Sequence, residues 1–313
     1  MHYVPLPEGA VRQVIDSTTT YTEYRRVKAH ALPYAGSMYW KREGAYEYLV
    51  KTRPRQRTQE RLGLRSEKTE RVFADYTARK EALETRLASL REALTEAERM
   101  NKAVKAGRTP NLVTGVLQVL EDAGLSEHFT VVGTHALYAY ETAASVRIVQ
   151  GALATQDVDL LWDARKRVQF MTELEQLEAS VLGVLKRADR TFERKAGQNE
   201  TAINARGFEV DFLRRQPIGN DPHPFRFSDD EGDLWPVQAL RASVLTSAPR
   251  FEHAVISVNG RMAQMRTVAP SAFVEFKRWM AEDAPQREAA KRRRDRLQAD
   301  IVQDLLEQKL LVA

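Results

Sequence analysis

Asp157 and Asp159 stand one residue apart in "ATQDVDLLWD" (154–163), an otherwise apolar run. Side chains alternate along a strand, so the two carboxylates share one face, about 6.5–7 Å apart at Cα, while Val158 and Leu160 point to the other. Like charges at that spacing resist both desolvation and each other, and a cation between them removes both penalties. A third acid, Asp211, lies between apolar neighbours in "FEVDFLRR" (208–215). Upstream, "FTVVGTHALYAYE" (129–141) reads as a short β-branched strand that breaks at Gly133 and enters a helix near Thr134. A glycine and a hydroxyl at a helix N-terminus offer a phosphate backbone N–H groups and partial positive charge. Three strand-borne carboxylates beside such a turn suit phosphoryl or nucleotidyl transfer with two divalent cations. Magnesium prefers carboxylate oxygens and substrate phosphates to a full protein cage.

Further candidates lie toward the C-terminus. Lys277 occurs in "FVEFKRWM", and Arg287, Lys291 and Asp295 are spaced i, i+4, i+8, one face of a helix. Arg287 and Lys291 suit phosphates, with Asp295 orienting one of the cations; a solvated, salt-bridged helix surface would use the same residues. Gly133 serves equally as a tight turn and Thr134 as a helix cap. His135 is within reach of a substrate but also suits a structural position. Trp162 and Trp279 read as core or rim residues, either able to stack on a base. The six histidines show no metal-ligand spacing, which speaks against zinc, and Walker and dinucleotide-binding glycine patterns are absent.

These residues need elements to hold them. Residues 1–65 read as a small, β-rich, basic unit with a hairpin in "SMYWKREGAYEYLVK" (37–51) turning at Gly44. From 66 to 107 the period changes. Phe73, Tyr76, Leu83, Leu87, Leu90, Leu94, Ala97 and Val104 follow steps of three and four, with Lys80 and Asn101 in the gaps, a long heptad helix. Its seam packs either on a second copy, giving a homodimer, or back on its own chain. Thr109-Pro110 and Gly124 bound a helix over 110–123. Residues 108–235 are read as the catalytic core, with 217–233 a long surface loop. Residues 236–313 carry a hairpin turning at Asn259-Gly260 and a helical C-terminus from Ser271.

The ordered set "MYWKREGAYEYL", "VVGTHALYAYE", "ATQDVDLLWD", "GFEVDFL", "VAPSAFVEFKRWM" and "KRRRDRLQADIV" resembles a bacterial family of nucleotidyltransferase-fold proteins, within the DNA polymerase β-like nucleotidyltransferase superfamily. The core and C-terminal helices are also similar to abortive-infection and toxin-type nucleotidyltransferases. The resemblance implies an α+β fold: a mixed sheet flanked by helices, with C-terminal helices completing the nucleotide site. It implies Asp157, Asp159 and Asp211 as catalytic ligands of two Mg²⁺ or Mn²⁺ ions, and Gly133, Thr134, Lys277, Arg287 and Lys291 as the nucleotide contacts. Asp295 would support them. One departure is the 24-residue step from Gly133 to Asp157, longer than in minimal members. Its insert, "TAASVRIVQGAL", is expected to reshape the mouth of the site.

The whole chain limits the options. Its 313 residues allow two modest domains, and an apolar content of 43% fits a globular core. No apolar run is long enough for a membrane span, the N-terminus does not resemble a signal peptide, and a cytoplasmic protein is expected. The absence of cysteine excludes thiol catalysis and disulfides. Net charge is +5, concentrated in residues 51–71 and 287–296, clusters that attract phosphates, including those of RNA. The leading expectation is Mg²⁺-dependent transfer of a nucleotidyl group from an NTP to an RNA (tRNA in particular), protein or small-molecule hydroxyl. The alternatives are a dimeric nucleotide- or nucleic-acid-binding module and a toxin-like regulator.

Overall fold

The computed structural model describes residues 2–53, 58–217 and 226–312. Packing divides the chain into residues 15–100 and residues 1–14 with 101–313, rather than at 65 and 107. No helix among the described residues is long and apolar enough to cross a membrane.

β1 (Tyr3–Pro5) leads into α1 (Glu8–Ala31), a helix that occupies much of the stretch expected to be β-rich. Ala10, Val14, Ser17, Tyr21, Tyr24 and Val27 line its inner side in steps of three and four. The period is hard to read because a serine fills one of these positions and "STTT" interrupts the run.

In the smaller unit, β2 (Met38–Glu43) and β3 (Tyr46–Arg53) form the hairpin. β4 (Thr58–Leu64) adds a third antiparallel strand where only a basic exit was expected. The long helix is α2 (Glu67–Ala103). Leu83, Leu87 and Leu90 of its seam pack on Tyr24, Val27 and Ala31 of α1, so this part of the seam is met by its own chain. Tyr76 and Lys80 both donate to the Gly36 carbonyl, at 3.0 and 2.7 Å. In the basic cluster 51–71, Arg61, Arg65 and Arg71 have carboxylate partners. Arg61 pairs with Glu43 and covers the Tyr48 ring, Arg65 pairs with Glu47 and Glu70, and Arg71 pairs with Glu67. Residues 54–57 of that cluster lie outside the described residues.

The larger unit continues with α3 (Asn111–Asp122), β5 (Phe129–Val132), a 3-10 turn over Gly133–His135 and α4 (Ala136–Ala143). Next come β6 (Val146–Ile148), α5 (Gln150–Leu153), β7 (Asp157–Trp162), α6 (Arg167–Gln176), α7 (Val181–Leu185), β8 (Glu193–Arg194), β9 (Thr201–Ile203) and β10 (Glu209–Arg214). β11 (Val237–Gln238), α8 (Ala242–Ser247), β12 (Arg250–Ile256), β13 (Met262–Val268), α9 (Pro270–Glu282) and α10 (Ala289–Glu307) complete it. The principal sheet runs β5-β7-β10-β9-β8, with β11 also on β10. β7 and β10 are parallel, while β5 and β9 run antiparallel to their neighbours, so this is a mixed sheet in an α+β unit.

Alternation then sorts the side chains. Val158, Leu160 and Trp162 of β7 and Val210 and Phe212 of β10 are buried on one face. There Trp162, Phe170, Phe212 and Phe227 form edge-on and tilted pairs with centroids 5.2–5.5 Å apart. The acids take the other face.

Three segments differ from the sequence reading for identifiable reasons. Thr109 does not cap α3: its N–H donates to Ile256 and its carbonyl accepts from Val258, so the chain is tied to the β12 end and Pro110 opens the helix. The 217–233 stretch is not all surface. Phe227 joins the aromatic core, and buried Asp233 accepts from the Val181 and Leu182 N–H groups at the start of α7. Its residues 218–225 lie outside the described ones. The helical C-terminus is two helices, because the chain breaks at 283–288, where Pro285 lies.

Candidate active site

The parallel register of β7 and β10 sets Asp159 directly beside Asp211, and Asp157 precedes Asp159 on the same face. Asp157, Asp159 and Asp211 each bring one carboxylate oxygen within 4.8 Å of the others. Two hydroxyls aim them. Thr155 donates to Asp157, and buried Thr201 donates to Asp211 at 2.5 Å from the neighbouring strand β9. Burial, then the charges of Asp157 and Asp211, push the Asp159 carboxyl up to about 7. Burial likewise raises Asp211, against the pull of its bond from Thr201. An all-oxygen set with a raised proton affinity fits a hard divalent cation, which would take the place of the proton.

Gly133 closes the other side. β5 lies antiparallel to β7 with Val132 opposite Asp159, so the chain must turn away at once, and it does so at a φ of +69°. A Cβ at Gly133 would collide with Asp159 Oδ2 as well as strain the backbone. Gly133→Ala is therefore expected to cut transfer activity about 100-fold or more. It should also cost about 1–3 kcal/mol of stability. A transfer assay beside a thermal melt checks both, and wild-type activity in the variant would remove the claim of close approach. Thr134 is buried behind the glycine, and its hydroxyl accepts from Gln298 Nε2 at 3.1 Å. That bond uses an acceptor lone pair and leaves the hydroxyl proton free to donate.

A cleft of about 520 Å³ opens over this face. Gly133, Thr134, Asp157 and Asp159 line one side, and Lys277, Arg287 and Lys291 line another. All the residues singled out in the sequence as nucleotide contacts thus border the cleft that holds two of the three acids. Asp295 lies beneath it, fully buried, accepting from Lys277 Nζ at 2.8 Å and from Arg287 at 2.7 and 2.9 Å. Burial lowers the Lys277 ammonium from its ordinary value and the Asp295 charge opposes the shift. Arg287 is not on the α10 face with Lys291 and Asp295. It stands in the 283–288 break and reaches Asp295 from there.

The far end of the cleft is apolar, with Leu161, Leu213, Leu245, Phe276 and Trp279. Trp162 faces the opposite way into the core. His135 is buried against Tyr138 and Phe208, hydrogen-bonded to the Asp157 backbone. Burial pushes its pKa down to about 4, so it is neutral near pH 7 and structural.

The sequence reading missed four supporting residues. Thr155 and Thr201 aim acids, and Gln298 ties Thr134 to the Ala152 carbonyl, joining α10 to the insert. Arg292 donates to the carbonyls of Ala281, Glu282, Ala284 and Arg287, pinning the 283–288 wall. Gln298 was within reach, since it extends the Lys291–Asp295 face by one further step of three. Thr201 carried no signal of its own; only the β9–β10 pairing brings it to Asp211. Just past the insert, the Ala154 carbonyl accepts from Arg294.

No curated protein and no solved structure matches the chain. Residues 111–312 match the family model described as nucleotidyltransferase. That span takes in every acid and cation of the cleft, and more than half the chain. The chain belongs to the nucleotidyltransferase family.

Proposed function

We propose that the chain moves a nucleotidyl group from an NTP to an acceptor hydroxyl on a polymerase β-like core, using two Mg²⁺ or Mn²⁺ ions held by Asp157, Asp159 and Asp211. The observation that carries this reading is the meeting of three carboxylates within 4.8 Å at the mouth of a cleft with a cationic wall. Bound cations would neutralise the acids, sharpen the attacking hydroxyl and offset charge on the leaving group. Gly133 and Thr134 hold the terminal phosphates by backbone N–H and hydroxyl donation. Lys277, Arg287 and Lys291 hold the triphosphate in place and stabilise its developing charge. Asp211, raised by burial, accepts the hydroxyl proton and passes it to water. The acceptor oxygen bonds to the α-phosphorus, and the bond to the β-phosphate breaks with its electron pair leaving on pyrophosphate.

The test is incubation with each α-³²P-labelled NTP, Mg²⁺ or Mn²⁺, and total cellular RNA, protein and small-molecule extract, beside Asp157→Ala/Asp159→Ala. Label transferred only by the intact acids supports the reading and names the acceptor class. Label transferred equally by the variant, or by neither protein, overturns it.

A further inference from the structure

A second cleft, also of about 520 Å³, lies at the starts of β7 and β10. Gln156 and Phe208 line it, the residues immediately before Asp157 and before β10, whose first residue pairs with Asp157. The acids face the first cleft, and the second adjoins the start of β7 through Gln156, which precedes Asp157. Its opposite wall is α3, through Asn111 and Gln118, and the turn at Arg261.

The charge around this cleft is one-sided. Arg206 and Arg261 line it and are exposed. Ala188 brings in a segment whose Lys186, Arg187 and Arg190 are exposed, and none of these three or Arg261 has a carboxylate partner among the described residues. The acid on that segment, Asp189, is engaged by Thr191, Asn204 and Arg206, which together hold its carboxyl down at about 2. In the 287–296 cluster, Arg287, Arg292 and Arg294 are turned inward to Asp295 and to backbone carbonyls, while Arg293 and Arg296 stay exposed.

We propose that the second cleft holds the acceptor, and that the acceptor is the end of a single-stranded polynucleotide. Arg261 on the lining, Arg206 beside it and the exposed Lys186, Arg187 and Arg190 of the adjoining segment match a phosphodiester backbone. The Phe208 ring gives a base a face to stack on, and the amides of Asn111, Gln118 and Gln156 offer donors and acceptors for sugar or base edges. The terminal hydroxyl is then led past Gln156 to Asp157. This deepens the transferase reading and rests on it.

The test uses the full chain with a fluorescein-labelled single-stranded RNA and the DNA of the same sequence, followed by anisotropy at several salt concentrations. Arg190→Glu/Arg261→Glu changes two exposed residues. Relative to wild type it should bind about tenfold more weakly or worse, with the slope of log affinity against log salt flatter by about 1.4. NTP affinity, read by Trp fluorescence with Mg²⁺ present, should stay unchanged. Tighter binding of RNA than of DNA would show that the 2′-hydroxyl is read. Equal polynucleotide affinity in both proteins, or none in the wild type, overturns the proposal. If label still passes to a protein or small molecule, and the variant does so equally, only the acceptor cleft fails. If the wild type neither binds an NTP nor transfers label, the transferase reading itself fails.

Discussion

Asp159→Asn is expected to transfer no detectable label and, without divalent cations, to melt later than the wild type. The two effects have one cause. Asp159 is half-buried and held among two other carboxylates, so its carboxyl rises from 3.8 to about 7. Between those values the folded chain keeps a proton that the unfolded chain has released. Stability therefore falls as pH rises through that window and levels off above it. Asparagine carries no charge to repel, so the variant escapes this penalty. With solvent screening allowed for, the gain near pH 8 is about 1–3 kcal/mol. That corresponds to several degrees in a unit of this size. The gap should shrink toward pH 4, and Mg²⁺ should raise the wild-type melting temperature more than the variant's. Activity should fall by about a thousandfold or more, because the remaining acids no longer complete the site. Melts at several pH values in EDTA and in Mg²⁺, beside the transfer assay, check each part. A variant that melts with the wild type at pH 8 in EDTA would show that the three acids do not strain the fold.

Asp295→Ala is expected to be the most destabilising single change in the site. Asp295 is inaccessible to solvent and is the shared partner of Lys277, itself buried, and of Arg287. Removing the acid leaves two cations facing each other with no counter-charge. Breaking a buried ion pair from one side costs about 3–5 kcal/mol, or roughly 10 °C or more. Lys277→Met separates this from catalysis. It leaves the Asp295–Arg287 pair in place, so it should fold with a smaller loss of stability while its KM for the NTP rises. Denaturant melts of both variants and steady-state kinetics of Lys277→Met give the comparison. Equal stability in the two would mean that Asp295 is not the keystone of this wall.

The residues of the candidate site were more legible in the sequence than the architecture, for physical reasons. Asp157, Asp159 and Asp211 announce themselves because a charge inside an apolar strand is locally out of place. Gly133 and Thr134 stand out at a strand–helix junction. Lys277, Arg287, Lys291 and Asp295 were found through spacing and resemblance. The structure corrects Arg287 by setting it in a break before the helix, where Asp295 still draws it in. Thr201 and Arg292 were invisible for a different reason: each acts through a tertiary partner or a run of carbonyls that no local pattern encodes. α1 escaped because Ser17 sits where an apolar side chain would mark the helical period. Asp233 looked like loop acidity until the start of α7 was seen to need its carboxylate.

Because β7 and β10 run in parallel with Asp159 opposite Asp211, the centre depends on counting as much as on chemistry. Loss of a single codon between 157 and 162 would move every later side chain of β7 to the opposite face. With Val158 lost, Leu160 would stand where an acid belongs, Trp162 would turn toward the cleft, and Asp163 would enter the aromatic core. Lineages of this chain are thus free to vary in length only in the connections between strands. The 24-residue step from Gly133 to Asp157 is such a connection, where a change of length leaves the parity on either side intact.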